Sequence, residues 1–235
     1  MNKGTLYLIP SPLGEGPVEA VLPAGVLSVL PELKRFVVEE VRTARRFLSA
    51  AGLKGHIQEL EFHTLNEHTQ PREVEAMASL FDDGASVGLI SEAGLPAVAD
   101  PGASLVALCH KNGIKVVPLT GPSSLMLALM ASGLNGQSFA FAGYIPAKAD
   151  ERKGAIRRLE KRSIAEKQTQ ILIETPYRND SLMADLVATL DPRTRLCVAV
   201  NITCPDEFIC TRTVAQWSKQ LPVLGKRPCV FLFLS

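Results

Sequence analysis

Four loops of this 235-residue chain concentrate the residue types that hold small molecules. The richest is Ser91-Glu92-Ala93-Gly94-Leu95-Pro96-Ala97-Val98-Ala99-Asp100-Pro101-Gly102, which follows a run of small and branched apolar residues. A carboxylate and a glycine at the end of a buried strand can receive an amino-acid-like ligand: Glu92 brings the charge and Gly94 brings free main-chain groups. Asp100 before Pro101 carries the signature of a helix start, with Asp as the cap and Pro at the first position. An earlier loop, Pro10-Ser11-Pro12-Leu13-Gly14-Glu15-Gly16-Pro17, puts two glycines in one turn. It lacks both G-x-G-x-x-G and a P-loop lysine, so a plain turn explains it equally well. Leu119-Thr120-Gly121-Pro122-Ser123-Ser124-Leu125 is a Gly-Pro turn into a helix. Ser123 or Ser124 either caps that helix or joins its amides to receive a ligand carboxylate. Glu174-Thr175-Pro176-Tyr177-Arg178 ends another apolar run, and Arg178 reads as a surface charge.

Strands must aim these loops. Apolar runs at 5–10, 36–40, 57–60, 85–91 and 115–118 alternate with helical patterns at 18–30 (broken near Pro23), 42–51, 71–81 and 101–111. Strand–helix alternation with short connections predicts a mostly parallel sheet covered on both faces, with ligands outside the carboxyl ends of its strands. The second half continues with helices at 123–132, 150–161 (charged and solvent-facing) and 180–190, and strands at 138–143, 170–174 and 195–200. Its last strands, 207–213 and 229–234, flank only a short helical piece at Trp217, which favours some antiparallel pairing in the second sheet. The reading is therefore α/β: an N-terminal domain, 1–119, with a five-stranded parallel sheet; a C-terminal domain, 120–235, with a mixed sheet; and a ligand cleft between them.

Apolar residues make up 46% of the chain and charged residues 21%, an ordinary globular balance. No apolar run approaches the about 18 residues of a membrane helix, and the N-terminus reads as a first strand. A formal net charge of +1 gives no general footprint for a long nucleic acid but leaves room for a local patch. The five cysteines form no Cys-x-x-Cys, and with four scattered histidines they show no metal-ligand spacing. They read as reduced thiols of a cytoplasmic protein.

Ser91–Gly102 followed by Gly121-Pro122-Ser123-Ser124 resembles the tetrapyrrole-methylase family of class III methyltransferases, most nearly its branch that methylates a ribose 2′-hydroxyl in small-subunit ribosomal RNA. That branch's Thr-Pro-Ile-Gly-Asn loop matches Ser11, Pro12, Leu13, Gly14 and Glu15. Its Glu-Asp-Thr-Arg segment matches Glu39, Glu40, Val41 and Arg42, and its His-Asn-Glu element matches Leu65, Asn66 and Glu67. Asp100-Pro101-Gly102, Ala131-Ser132-Gly133-Leu134, Gly143-Tyr144-Ile145-Pro146 and Glu174-Thr175-Pro176-Tyr177-Arg178 also match. The branch's Arg-Glu-Leu-Thr-Lys element is Val200-Asn201-Ile202-Thr203-Cys204 here, without three charged groups of the kind that hold phosphates.

The resemblance implies S-adenosylmethionine as cofactor, touching Ile9, Glu92, Gly94, Leu95, Ser124, Leu125, Ile173, Asn201 and Pro228, and a homodimer. It places Pro12, Gly14 and Asn66 at the acceptor. Methyl transfer from a sulfonium needs alignment, and a hydroxyl acceptor also needs a base near its proton. Glu39 is the candidate base and Arg42 the group that positions an anionic acceptor; an ion pair between them, serving stability alone, is the alternative. Two rival functions are methylation of a corrin-type ring, whose enzymes carry a Gly-x-Gly-Pro-Gly loop that Ser11-Pro12-Leu13-Gly14 lacks, and a cofactor-binding regulatory protein without catalysis.

Overall fold

The computed structural model describes residues 3–235. The chain divides into two compact units, Met1–Ser123 and Ser124–Ser235.

The first unit runs β1 (Thr5–Ile9), α1 (Ala24–Leu27), β2 (Arg35–Val38), α2 (Val41–Leu48), β3 (Glu61–Thr64), α3 (Pro71–Ala76), β4 (Val87–Ile90), α4 (Ala103–Lys111) and β5 (Lys115–Pro118). Its strands form one sheet in the order β3-β2-β4-β1-β5, every neighbouring pair parallel. Alternate side chains leave a strand on opposite faces. Phe36 and Val38 therefore join Ala44, Phe47 and Leu48 of α2 on one side. Val37 joins Val74, Leu105 and Cys109 of α3 and α4 on the other. All four residues of β4 are buried, as a central parallel strand requires.

Two elements of this unit differ from what the sequence predicts. Residues 57–60 are not a strand: Ile57–Glu59 is one 3-10 turn, and the strand is Glu61–Thr64. Ile57 and Leu60 are apolar because they pack on the core cluster from outside the sheet. As an edge strand, β3 is half exposed and needs no apolar run. Likewise 18–30 is two short turns, Val18–Ala20 and Ala24–Leu27, separated by Pro23.

The second unit runs α5 (Ser124–Ser132), β6 (Phe139–Gly143), α6 (Ala149–Glu166), β7 (Thr169–Ile173), α7 (Asn179–Thr189), β8 (Arg195–Val200), β9 (Phe208–Thr213), α8 (Val214–Trp217) and β10 (Cys229–Leu234). The sheet order is β6-β7-β10-β8-β9, with β6 and β7 parallel and the rest antiparallel. Trp217 is 2% exposed and donates its indole N–H to Leu196 O at 2.9 Å. The helix α6 is not wholly solvent-facing: Arg152, Ala155, Ile156 and Ser163 are buried. Arg152 reaches α7, where its Nε donates to Asp185 at 2.6 Å and its terminal nitrogen to Ser181 at 2.8 Å. No helix among the described residues is long and apolar enough to cross a membrane.

Candidate active site

In the first unit β1 and β4 lie side by side, while the chain leaves β1 toward β2 and leaves β4 toward β5. Connections that diverge from neighbouring strands open a crevice beyond their carboxyl ends. The loops after β1 and β4 meet there. Ser11 N–H donates to Gly94 O at 2.9 Å, and Gly94 N–H to Ser11 O at 3.1 Å. The backbone of Gly94 is thus already paired, which corrects the expectation that it offers free groups. Its glycine identity has a local cause. With φ +77°, a Cβ would lie 3.1 Å from Leu13 Cδ2 and 3.5 Å from Pro122 O.

Beyond Gly94 the loop is strained. Ala97 and Ala99 are left-handed at φ 66° and 64°, and Gly102 sits at φ 130°. Each non-glycine residue in that region costs roughly 1–2 kcal/mol, and such strain concentrates at functional loops. Asp100 does not cap α4. The residue before that helix is Gly102, and no side chain caps it. The Asp-Pro-Gly signature failed because the αL kink at Ala99 and the turn at Gly102 carry Asp100 away from the helix axis.

Asp100 instead joins a group of carboxylates. Burial pushes its carboxyl up, and the charge of Glu92 adds to that. Glu39, just beyond β2, is raised by burial first and then by Asp100, with Glu92 and Glu67 contributing, while its bond from Glu92 N–H pulls the other way. That bond, from Glu92 N–H to Glu39 Oε2, is long at 3.4 Å. Glu40 has a different task. As the cap of α2 it accepts from Arg42 N–H at 3.0 Å and Thr43 N–H at 2.8 Å, which holds its carboxyl below the usual range. No ion pair joins Glu39 to Arg42 among the described residues. The alternative of a stabilising pair is therefore not what the fold builds. Arg42 lies exposed at the start of α2.

A cavity of about 440 Å³ adjoins this group, lined in part by Pro12, Leu13, Gly14, Thr43, Arg46 and Glu92. Pro12 and Gly14, two of the expected acceptor residues, thus share one wall with Glu92. Thr43 Oγ1 donates to Glu92 Oε1 at 3.3 Å. Asn66 lies off this cavity and closes its own turn, accepting from His68 N–H at 2.9 Å. Ile9 is fully buried and its side chain belongs to the core. Leu95 follows Gly94, half-buried.

In the second unit, Ile173 ends β7, Asn201 follows β8 and Pro228 precedes β10. Register brings them to one end of the sheet: Val230 lies opposite Ile173, and Asn201 N–H donates to Pro228 O at 3.0 Å. Asn201 is left-handed at φ 47°, and its side-chain amide donates to Asp206 at 2.7 Å. Ser124 opens α5, where Leu125 is buried.

Glu174 does more than its place in the sequence announces. Its side chain is wholly buried, and Oε1 accepts from Thr175 N–H at 2.7 Å and Arg178 at 2.6 Å. Burial alone would raise this carboxyl, but those two bonds hold it low. Arg178 is therefore a partner of a buried acid and not a plain surface charge. Glu174 Oε2 and Asn179 Oδ1 are buried with no donor. The signal in the sequence was an acid at the very end of a buried strand, which burial penalises unless something pairs it.

Three comparisons bear on this arrangement. The model of the family described as Tetrapyrrole (Corrin/Porphyrin) Methylases matches residues 18–217. Relatives named Ribosomal RNA small subunit methyltransferase I include that of Neisseria meningitidis serogroup B, 33% identical over 95% of this chain and 72% of its own. That of Pasteurella multocida is 30% identical over 97% and 78%. Among solved structures, the methyltransferase CobJ superposes with a TM-score of 0.64 at 16% identity, covering 99% of this chain and 94% of its own. Uroporphyrin-III C-methyl transferase from Thermus thermophilus, complexed with S-adenyl homocysteine, gives 0.58 at 16% identity, covering 99% and 98%. A family match over most of the chain, on a parallel and a mixed five-stranded sheet, leads to one conclusion: this chain belongs to the tetrapyrrole (corrin/porphyrin) methylase family.

Proposed function

We propose that the chain transfers a methyl group from S-adenosylmethionine to a ribose 2′-hydroxyl of small-subunit ribosomal RNA. The observation that carries this is the similarity, over nearly the whole chain, to relatives bearing the ribosomal RNA methyltransferase name. The solved structures named for corrin-type and uroporphyrin methylation are 16% identical in the two cases above, and those speak for the fold alone.

The residues present fit the cofactor on two counts. Glu39, Glu92 and Asp100 act on one another's charge, none of them in an ion pair among the described residues, and a sulfonium or ammonium is the countercharge that would relieve them. In the second unit, the buried acceptors Glu174 Oε2 and Asn179 Oδ1 lack a donor beside Ile173, and an exocyclic amine supplies one. In the first unit we assign Ile9 (through its main chain), Glu92, Gly94 and Leu95 to the cofactor. On the resemblance, Ser124, Leu125, Ile173, Asn201 and Pro228 are assigned to it as well.

S-adenosylmethionine, when bound, supplies a methyl group open to in-line attack. Glu39 accepts the proton of the attacking 2′-hydroxyl, and its raised pKa makes it a stronger base than an ordinary carboxylate. Arg42, exposed at the start of α2, holds the acceptor's phosphate. Pro12 and Gly14 shape the wall that receives the acceptor, and Asn66 is assigned beside them on the resemblance. The reading extends to a cytoplasmic homodimer. Five free cysteines suit a reducing compartment, and sedimentation as a monomer at micromolar concentration would refute the dimer. The deciding experiment incubates the protein with methyl-labelled cofactor and stripped small ribosomal subunits. Label in the RNA is the expected result; cofactor binding by calorimetry with no transfer to any RNA would favour a regulatory binding protein.

A further inference from the structure

We propose that Tyr177 is a stacking platform for an unpaired base of the RNA acceptor, with Lys226 and Arg227 taking the adjoining phosphates. The proposal rests on the RNA reading above.

Tyr177 is 80% exposed, in a one-turn helix directly after β7. An aromatic ring so displayed contributes little to the core, yet its surroundings are fixed in detail. The next residue, Arg178, is tied to buried Glu174. The Lys226 ammonium lies 5.1 Å from the ring centroid. The turn that carries Lys226 is fastened three ways. Asp180 accepts from Leu224 N–H at 2.8 Å and Gly225 N–H at 3.2 Å. Arg227 donates to Leu224 O at 3.0 Å and Val223 O at 2.7 Å. Asn179 donates to Arg227 O at 2.7 Å. Gly225, at φ +60°, allows the bend. These bonds seat the buried Leu224, and the same turn carries Lys226 over the exposed ring.

Tyr144, 58% exposed, lies near Arg178 and offers a second aromatic ring. Arg227 is only loosely countered, 4.0 Å from Asp206. Aromatic rings interleaved with cations suit single-stranded nucleic acid: any base offers a π face, and the neighbouring phosphates meet the cations. A paired base presents no free face, so the occupant is unpaired RNA. The net charge of +1 shows that these cations are a local feature.

The test uses the full chain. Tyr177→Trp puts a fluorescent ring on the platform, while the natural Trp217 is 2% exposed and insulated from ligand. Adding a single-stranded oligoribonucleotide should quench the emission of Tyr177→Trp but not of the parent, and the same sequence as a duplex should quench neither. With stripped small subunits, Tyr177→Ala should raise KM about 5- to 100-fold, leaving kcat and cofactor affinity unchanged, while Tyr177→Phe stays near the parent. Lys226→Ala should reduce the salt slope of RNA binding by about one. An unquenched Tyr177→Trp, equal quenching by duplex, or an unchanged KM for Tyr177→Ala in a parent that methylates RNA would each overturn the platform. Quenching in a protein that transfers no methyl to RNA would instead sink the methylation reading and leave RNA stacking in place.

Discussion

Replacing Glu39 with Gln tests the chemistry directly. The change removes one negative charge and keeps the shape. Glu39 Oε2 accepts only a long bond from Glu92 N–H, at 3.4 Å, and a glutamine oxygen can accept the same bond. The local fold therefore has no reason to fail. Neutralising one member of a group that includes Asp100, Glu92 and Glu67 also lessens repulsion, so the melting temperature should hold or rise. A positioned base contributes about 10²- to 10⁴-fold, or about 3–5 kcal/mol of barrier at roughly 1.4 kcal/mol per decade. Single-turnover transfer from saturating labelled S-adenosylmethionine to stripped small subunits should slow by that factor; the loss of one acid of the group that offsets the cofactor's positive charge should also weaken its binding, read separately by calorimetry. The pH profile separates a base from a merely structural acid. Only the carboxylate accepts a proton, so the parent's rate should fall as pH drops through the raised pKa of Glu39, and the variant should lack that limb. A variant rate within threefold of the parent would refute the assignment and turn attention to Asp100 and Glu92.

Other outcomes follow from the same geometry. Arg42→Ala should leave cofactor affinity nearly unchanged, by calorimetry, while lowering transfer at subsaturating RNA about tenfold. Gly121→Ala would put a Cβ 2.2 Å from Pro10 Cβ, which the rigid ring cannot yield, so the loop must shift; urea unfolding should show a loss of about 1–3 kcal/mol or more. Arg152 and Asp185 are 5% and 17% exposed, so Arg152→Met strands a buried carboxylate; about 3–5 kcal/mol should be lost, most of it regained on adding Asp185→Leu. Asp100 has a folded pKa above its unfolded value, so the folded state holds the extra proton and stability falls as pH rises through that window. Asp100→Asn should accordingly raise the melting temperature at neutral pH and change it little in acid.

Much of the fold was legible because buried parallel strands and alternating helices write themselves as period. All four residues of β4 are buried, and the run at 85–91 announced it. The placement of β10 was not legible. The last strand slots between β7 and β8, and nothing in Cys229–Leu234 distinguishes a central strand from an edge. At the site, the loop at 91–102 was recognisable by composition, but its hydrogen bonding was not. That Ser11 consumes both backbone groups of Gly94 depends on β1 lying next to β4, a contact between residues far apart in the chain. Asp100 was misread because Asp-Pro-Gly is a local signature, and two left-handed alanines override it.

Those alanines and the carboxylates around them share one energetic logic. Left-handed Ala97 and Ala99, and acids raised by burial and by one another, are both costs that no core requires. Both fall within reach of the carboxyl ends of the parallel sheet. A cationic ligand reverses the second cost and gives the first a purpose. In the second unit a cation meets an exposed ring instead: Lys226 lies over Tyr177, with Arg178 and Arg227 as their chain neighbours. A chain whose charges sum to +1 can therefore carry one patch for a cation and another for phosphates, because opposite patches cancel in the total. Net charge argues against a general footprint for a long nucleic acid. A few unpaired nucleotides need only a ring and two or three cations, and that is the scale on which this surface is built.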